Sequence, residues 1–92
     1  MKYSIHRTAR FSRDVKRANK RGKDLRKLNS VINQLAAGTP LPAANKDHAL
    51  SGNWAGHREC HVEPDWLLIY YTTDETLVLT LARTGTHTDL LE

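Results

Sequence analysis

The sequence predicts one α+β domain in which two N-terminal helices cover one face of a small, mainly antiparallel sheet. Apolar residues repeat every three or four positions between residues 8 and 37, as they do on one face of a helix. Between residues 54 and 83 they instead form short runs bounded by turn residues, as in strands. A chain of 92 residues builds one modest core, so residues 1–92 are expected to form a single domain.

The N-terminal third predicts a strand followed by two helices. Apolar and polar residues alternate over positions 3–7, which indicates a short strand. Thr8 can cap a helix that runs to about Lys20, and Asp24 can cap a second helix that runs to about Ala37. The apolar stripes of the two helices are Phe11, Val15 and Ala18, and Leu25, Leu28, Ile32 and Leu35.

The C-terminal part predicts a long loop, three strands and a polar tail. The proline-rich stretch 39–53 is predicted to be a loop. Strands are predicted at positions 54–62, 66–71 and 77–83, with a tight turn at Pro64-Asp65. The strand at 66–71 is apolar on both faces and therefore central. By alternation along the strand, Arg83 falls on the same side as Leu77, Leu79 and Leu81. A bulge or an early strand end must therefore turn its side chain toward the candidate site. Gly85 ends this strand and leaves a short polar tail.

Positive charge is concentrated in the helical hairpin. Residues 1–30 carry a net charge of +9, whereas residues 31–92 carry −5. Such a separation is typical of a protein that binds a polyanion or an acidic protein, although a solvated helix face is the plainer alternative. The candidate RNA- or ribosome-binding residues on the basic helices are Lys16, Lys20, Arg21, Lys23 and Lys27.

The composition argues against membrane and secreted classes. No apolar run approaches the roughly 18 residues that span a bilayer, and the first residues contain no apolar signal region. The single cysteine, Cys60, cannot form an internal disulfide and is expected to be a packed thiol in a reducing compartment. A cytoplasmic protein is therefore predicted.

Three histidines lie where predicted elements meet, which is where sites are commonly built. They are His48 in the loop, His61 at a strand end and His87 after the last strand. Asp65 and Arg83 lie at similar junctions. The histidines lack the close pair typical of a zinc site, so neither a metal nor another cofactor is predicted.

These residue types suit RNA cleavage without a metal. The reaction needs a group that takes a proton from a ribose 2′-hydroxyl, a group that protonates the leaving 5′-oxygen, and a cation for the phosphate. Histidines, a carboxylate and an arginine can supply all three. Trp66 offers a ring on which an unstacked base could lie. Each residue also has a plainer reading as a solvated or turn residue.

Two stretches resemble one family of bacterial toxins. KDHALSGNWAGHRECHVEPDWLLIYY and LARTGTHTDLL are similar to the YafQ branch of the RelE-type toxins, which are mRNA interferases of type II toxin–antitoxin modules. The matching positions are 46–70 and 83–90. The resemblance implies a microbial-RNase-like RelE fold that cleaves mRNA in the ribosomal A site without a metal and inhibits translation.

The resemblance also implies roles for individual residues. General acid/base work would fall to His48, His61, Asp65 and His87, with His48 and His61 favoured as the proton-transfer pair and the acid and base left unassigned. Arg83 would bind the scissile phosphate, and Trp66 would shape the pocket or stack on a base. At the last substrate-contacting position this chain has Leu91, where the family often has an aromatic residue.

The partners that the resemblance implies are the 70S ribosome, mRNA and an acidic antitoxin. Toxin and antitoxin would form a heterotetramer of two copies each, which would bind operator DNA only through the antitoxin. The main alternative is a non-catalytic module, such as a disabled toxin, that binds nucleic acid or the antitoxin. A metal hydrolase is a weaker alternative.

Overall fold

The computed structural model describes residues 1–91, with Leu91 described by its backbone alone. The strands are β1 (Ser4–Arg7), β2 (His48–Ala49), β3 (Arg58–Glu63), β4 (Trp66–Thr73) and β5 (Val78–Gly85). The helices are α1 (Ala9–Lys20), α2 (Leu25–Ala36) and α3 (His87–Leu91). The strands form one sheet in the order β1-β5-β4-β3-β2, in which β1 runs parallel to β5 and the other neighbours are antiparallel. The predicted α+β class and the central position of β4 are confirmed.

The two N-terminal helices begin at the predicted caps. The Thr8 hydroxyl accepts a hydrogen bond from the backbone N–H of Phe11 at 3.0 Å, and the Asp24 carboxylate accepts one from Arg26 at 3.1 Å. Each bond satisfies a backbone donor that has no partner inside its helix. The apolar stripes of α1 and α2 then pack on the sheet face formed by alternate residues of β3, β4 and β5, such as Cys60 and Leu68.

The opposite face of the sheet is covered only in part. Leu67, Ile69 and Ala82 form a second buried cluster there, because successive strand side chains point to opposite faces. Leu90 of α3 is buried in this cluster, and Leu50 and Trp54 pack against its edge. The rest of this face is open and carries the polar residues described below. No helix within residues 1–91 has the length and apolarity needed to cross a membrane.

Three local expectations were wrong. The segment after Gly85, predicted to be only a short polar tail, forms α3, because burial of Leu90 on the sheet favours a helical turn. The loop 39–53 contains the short strand β2, which pairs with β3. The strand predicted from position 54 begins only at Arg58, since positions 52–54 form a 3₁₀ turn.

A bulge interrupts the pairing of β4 with β5. Ile69 is opposite Arg83, whereas the next residue, Tyr70, is opposite Leu81, so Ala82 is the extra residue. The predicted irregularity before Arg83 is therefore present. It lies at the end of β5 where β1 no longer pairs, and this leaves the backbone N–H of Thr84 free to meet α1.

Candidate active site

Folding brings four of the candidate residues together on the open face of the sheet. His48 comes from β2, His61 from β3, Asp65 from the turn between β3 and β4, and His87 from the start of α3. The common neighbour of the three histidines is Glu59, which precedes His61 by two residues and so shares its face of β3. We call the three histidines and Glu59 the histidine cluster.

Glu59 is the buried centre of the histidine cluster. Its side chain is 4% exposed, and its Oε1 lies 3.7 Å from His48 Nε2 and 3.6 Å from His61 Nε2. Its Oε2 has no hydrogen-bond partner within the described part of the chain. A buried carboxylate without full hydrogen bonding is costly unless a positive charge is near. Glu59 is therefore placed to form an ion pair with either of these histidines when that histidine carries a proton.

Each histidine of the cluster has its Nδ1 engaged by an acceptor. His48 Nδ1 lies 2.7 Å from the carbonyl oxygen of Lys46, and His61 Nδ1 lies 3.2 Å from that of Pro64. Carbonyl oxygens only accept hydrogen bonds, so these contacts place the proton of each neutral ring on Nδ1. Nε2 is then left as the proton acceptor, and in both rings it faces Glu59.

His87 differs because its Nδ1 meets a carboxylate. Asp65 Oδ1 accepts hydrogen bonds from His87 Nδ1 at 2.7 Å and from the backbone N–H of His87 at 3.0 Å. These two hydrogen bonds hold the pKa of Asp65 below its ordinary value, and the bond from the backbone N–H has the larger effect. The ring of His87 lies edge-on to that of His61, with 5.8 Å between ring centroids. Asp65 thus remains ionised and orients His87.

Arg83 lies in a separate group of charges. Its Nε and Nη2 donate to the two oxygens of Asp14 in α1 at 2.7 and 3.0 Å, and its side chain is only 12% exposed. Asp14 also accepts from the backbone N–H of Thr84 at 3.1 Å and from Arg17 at 3.1 Å. We call Asp14, Arg17, Arg21, Arg83 and Asp89 the arginine–aspartate cluster, since Asp89 joins Arg17 to Arg21.

Trp66 and Leu91 were also predicted to contact the substrate, and Cys60 was predicted to be a packed thiol. Trp66 is buried, and its indole N–H donates to the Thr84 hydroxyl at 3.0 Å, so its ring packs in the core and does not face a base. Stacking of Trp66 on a base stays a prediction, which this conformation does not favour because the ring lies on the helix-covered face. The side chain of Leu91 lies outside what the structure describes. Cys60 is buried as expected, and burial raises the pKa of its thiol to about 12.

The basic residues named from the sequence divide into two groups. Three are in ion pairs: Arg21 with Asp89, and Lys23 and Lys27 with Glu63. Lys16 and Lys20 are exposed on α1 and form no ion pair with residues 1–91. They remain available for a partner.

Two functional positions escaped the sequence reasoning. Glu59 alternates with the apolar residues of β3, and a carboxylate two residues before a candidate histidine was a usable signal. Asp47 positions the segment that carries His48: its Oδ1 accepts from Tyr70 at 2.7 Å and from Arg58 at 3.1 Å. Burial of the Tyr70 side chain raises its pKa most, and the hydrogen bond to Asp47 raises it further.

The histidine cluster could also hold a cation. One ligand atom each from Glu59, His61 and His87 lies within 4.8 Å of the others. Imidazole nitrogens and a carboxylate oxygen suit Zn²⁺ or Cu²⁺. The expectation of no metal considered only spacing along the chain, and the fold brings together ligands that are far apart in sequence.

The sequence is similar to those of known proteins. Residues 3–92 match the family described as "Bacterial toxin of type II toxin-antitoxin system, YafQ". The mRNA interferase toxin YafQ of Escherichia coli K12 is 51% identical over 87 residues, which cover 94% of this chain and 92% of that protein.

Solved structures show the same fold. YafQ from E. coli BL21(DE3) superposes with a TM-score of 0.92 at 47% identity, covering 98% of this chain and 99% of that one. A chain of the E. coli DinJ-YafQ toxin-antitoxin complex superposes with a TM-score of 0.89 at 46% identity, over 100% of both chains. The match over almost the full length, in sequence and in fold, shows that this chain belongs to the YafQ family of toxins of bacterial type II toxin–antitoxin systems.

Proposed function

We propose that the chain is a toxin that inhibits translation as a metal-independent endoribonuclease, cutting mRNA in the A site of the 70S ribosome. The observation that supports this most is the histidine cluster, in which three imidazoles with engaged Nδ1 atoms surround one buried carboxylate. A relative 51% identical carries the name mRNA interferase toxin. The antitoxin in a related crystal structure supports the toxin role.

The reaction we propose is an internal transfer at phosphorus. A general base removes the proton of a ribose 2′-hydroxyl, and the 2′-oxygen bonds to the neighbouring phosphorus. The bond from phosphorus to the 5′-oxygen breaks, and a general acid protonates that oxygen. The products are a 2′,3′-cyclic phosphate and a 5′-hydroxyl, so no further reactant is needed.

The environments of the histidines favour particular roles. His48 and His87 each have 51% of the side chain exposed, whereas His61 has 15%. His87 donates its Nδ1–H to Asp65, which fixes the ring with Nε2 free to deliver a proton and suits the general acid. His48 then acts as the base through Nε2. His61, packed beside Glu59, would help to bind the phosphate. This assignment replaces the pairing of His48 with His61 favoured from the sequence.

Arg83 would contribute to phosphate binding at the edge of the site. Asp14 engages its Nε and Nη2, which fixes the plane of the guanidinium. Nη1 is left to donate to a phosphate oxygen, since no bond from it to residues 1–91 is seen. A guanidinium held in one plane loses little freedom when it binds an anion.

Ribosome binding would depend on the exposed basic side of α1. Lys16 and Lys20 carry charges that no carboxylate within residues 1–91 neutralises. Contacts of lysine with RNA phosphates release counterions, so binding should weaken as salt is raised. Lys23 and Lys27 would first have to leave Glu63.

Induced expression of the wild type should arrest growth and produce cuts in a translated reporter mRNA, mapped by primer extension. His6→Ala is the matched control, because His6 lies on β1, at the sheet edge opposite β2. It should arrest growth like the wild type, whereas His61→Ala should not. Harmless expression of a folded wild-type protein would instead favour the non-catalytic binding module.

A metal ion should inhibit the toxin and not activate it. Zn²⁺ bound by Glu59, His61 and His87 would occupy a ring nitrogen of His87, which could then not carry the proton of the general acid. We expect cleavage by purified protein on programmed ribosomes, in buffer that keeps its Mg²⁺, to be unchanged by an excess of a zinc-selective chelator and to fall on addition of Zn²⁺. Loss of activity in chelator would contradict the metal-independent mechanism and favour a metal hydrolase.

The antitoxin partner would be acidic and would use a groove between α1 and α2. This groove of about 380 Å³ has an apolar floor that includes Val15 and Leu28 and a basic rim that includes Arg7 and Lys16, with no acidic residue among those that line it. An amphipathic acidic segment matches both features. Toxin and antitoxin would assemble as two copies of each and bind operator DNA through the antitoxin.

Charge at the rim of the groove tests this docking site. Asn29→Glu places a negative charge on the rim and should weaken antitoxin binding about fivefold, equivalent to ~1 kcal/mol. Ser30→Glu adds the same charge at the next exposed position of α2, outside the groove, and is the control. Calorimetric titration with the antitoxin measures both. Equal affinities for the two variants would place the antitoxin elsewhere.

A further inference from the structure

Helix α3 carries His87 but is too short to be stable alone. It has five residues, and isolated helices of this length do not persist in water. Its start is fixed by reciprocal bonds: the Asp89 carboxylate accepts from the backbone N–H of Thr86 at 2.9 Å, and the Thr86 hydroxyl accepts from the backbone N–H of Asp89 at 3.1 Å. This is a capping box formed with an aspartate. Asp89 thus sets the first turn, which contains His87.

Asp89 also joins α3 to α1. Its Oδ2 lies 2.7 Å from Arg21 Nη1 and 3.4 Å from Arg17 Nη2, and its Oδ1 accepts from Arg21 Nη2 at 3.3 Å. Arg17 in turn bonds Asp14 and the backbone carbonyl of Thr84 at the end of β5. The side chain of Asp89 is only 13% exposed, so solvent screens these contacts less than those of a fully exposed pair.

We propose that Asp89 is a positioning residue for RNA cleavage: by joining α3 to Arg17 and Arg21 of α1, it holds His87 against Asp65 and beside His61. This inference rests on the proposed function and deepens it. Asp89 itself touches none of the three histidines among the contacts within residues 1–91. Its carboxylate acts through the orientation of α3.

The crowding around Asp89 distinguishes it from an ordinary surface ion pair. A Cβ on Gly85 would lie 2.8 Å from Asp89 Oδ2 and 2.9 Å from Arg17 Nη2, so the carboxylate and the guanidinium lie directly on the backbone of β5. The hydrogen bond from Arg21 is the main reason that the pKa of Asp89 lies well below its ordinary value, so Asp89 is ionised at neutral pH. By contrast, Arg26 of the Asp24–Arg26 pair is almost fully exposed.

The test compares two carboxylates that both cap a helix and pair with an arginine. Asp89→Ala removes the cap and the link to α1, and Asp89→Asn keeps an oxygen for the cap but removes the charge. Asp24→Ala removes the cap and the Arg26 pair of α2, away from the histidine cluster, and is the matched control. Steady-state cleavage on programmed ribosomes gives kcat and KM. Nitrogen-15 NMR of the His87 ring reports whether Nδ1 still donates to Asp65.

We expect Asp89→Ala to lower kcat on the order of tenfold or more, since small misplacements of reacting groups are costly. KM should change less than twofold, and the His87 Nδ1–H signature should be lost. Asp89→Asn should lie between Asp89→Ala and the wild type, and it serves as the test if Asp89→Ala fails to fold. Asp24→Ala should keep both kcat and the signature.

Two results would overturn the proposal. One is an Asp89→Asn protein with wild-type kcat and an intact His87 signature. The other is an equal loss of kcat in Asp24→Ala, which would indicate general destabilisation. The NMR comparison does not require cleavage. If the wild type does not cut mRNA, the proposed function fails while the effect of Asp89 on His87 is still measured.

Discussion

His87→Ala is expected to cut ribosome-bound mRNA about 10²–10⁴ times more slowly than the wild type, because a positioned general acid contributes that much to the rate. Asp65 fixes the ring through Nδ1 at 2.7 Å and leaves Nε2 to deliver the proton. A substrate with sulfur in place of the 5′-bridging oxygen should restore most of the lost rate. A thiolate is a much weaker base than an alkoxide and leaves without being protonated.

The sulfur substrate separates the roles of the histidines. His48→Ala removes the proposed base, and the same substrate should not rescue it, because the 2′-hydroxyl must still lose its proton. The measurement is the single-turnover rate on ribosomes programmed with matched oxygen and sulfur mRNAs. Rescue of His48→Ala and not of His87→Ala would reverse the assignment of acid and base. Rescue of neither variant would argue against general acid catalysis by this pair.

Asp14→Ala is expected to lower the free energy of unfolding by about 3–5 kcal/mol, the cost of leaving one member of a buried ion pair without its partner. The carboxylate of Asp14 is 5% exposed and accepts bonds from Arg83, Arg17 and the backbone of Thr84. Removing it leaves the Arg83 guanidinium largely buried and uncompensated.

The matched control for Asp14→Ala is Glu63→Ala. Glu63 also meets two cations, Lys23 and Lys27, but these are about half exposed, so its loss should lower the free energy of unfolding far less. Urea unfolding followed by circular dichroism measures both variants. If Asp14→Ala costs no more than Glu63→Ala, the arginine–aspartate cluster does not stabilise the fold as the contacts indicate.

Local patterns in the sequence were sufficient to predict the two N-terminal helices and the central strand. Thr8 and Asp24 mark their helices because capping is a contact between near neighbours, and β4 is recognisable because both its faces are buried. Helix α3 was missed because its stability depends on Leu90 meeting residues of β4 and β5, although Thr86 and Asp89 were a local signal. Short elements stabilised by distant contacts leave little periodicity to detect.

The sequence predicted which residues belong to the candidate site better than it predicted how they are arranged. The resemblance to the toxin family named the histidines, Asp65 and Arg83 at their positions. It did not place Trp66 in the core or pair Arg83 with Asp14, because both depend on packing against α1 and the end of β5. Glu59 was overlooked because its spacing from His61 alone does not show that the fold also brings His48 and His87 close to its carboxylate.

The close approach at Gly85 links two positions in a way that sequences of relatives can reveal. A methyl group at position 85 would collide with the carboxylate of Asp89 and the guanidinium of Arg17. A side chain at position 85 would therefore require the Arg17 and Asp89 side chains to move away, or a smaller residue at position 89. Among members of the family, a side chain at position 85 should be found with alanine or glycine at position 89. Covariation of this kind would record the packing of α3 on α1 without any structure.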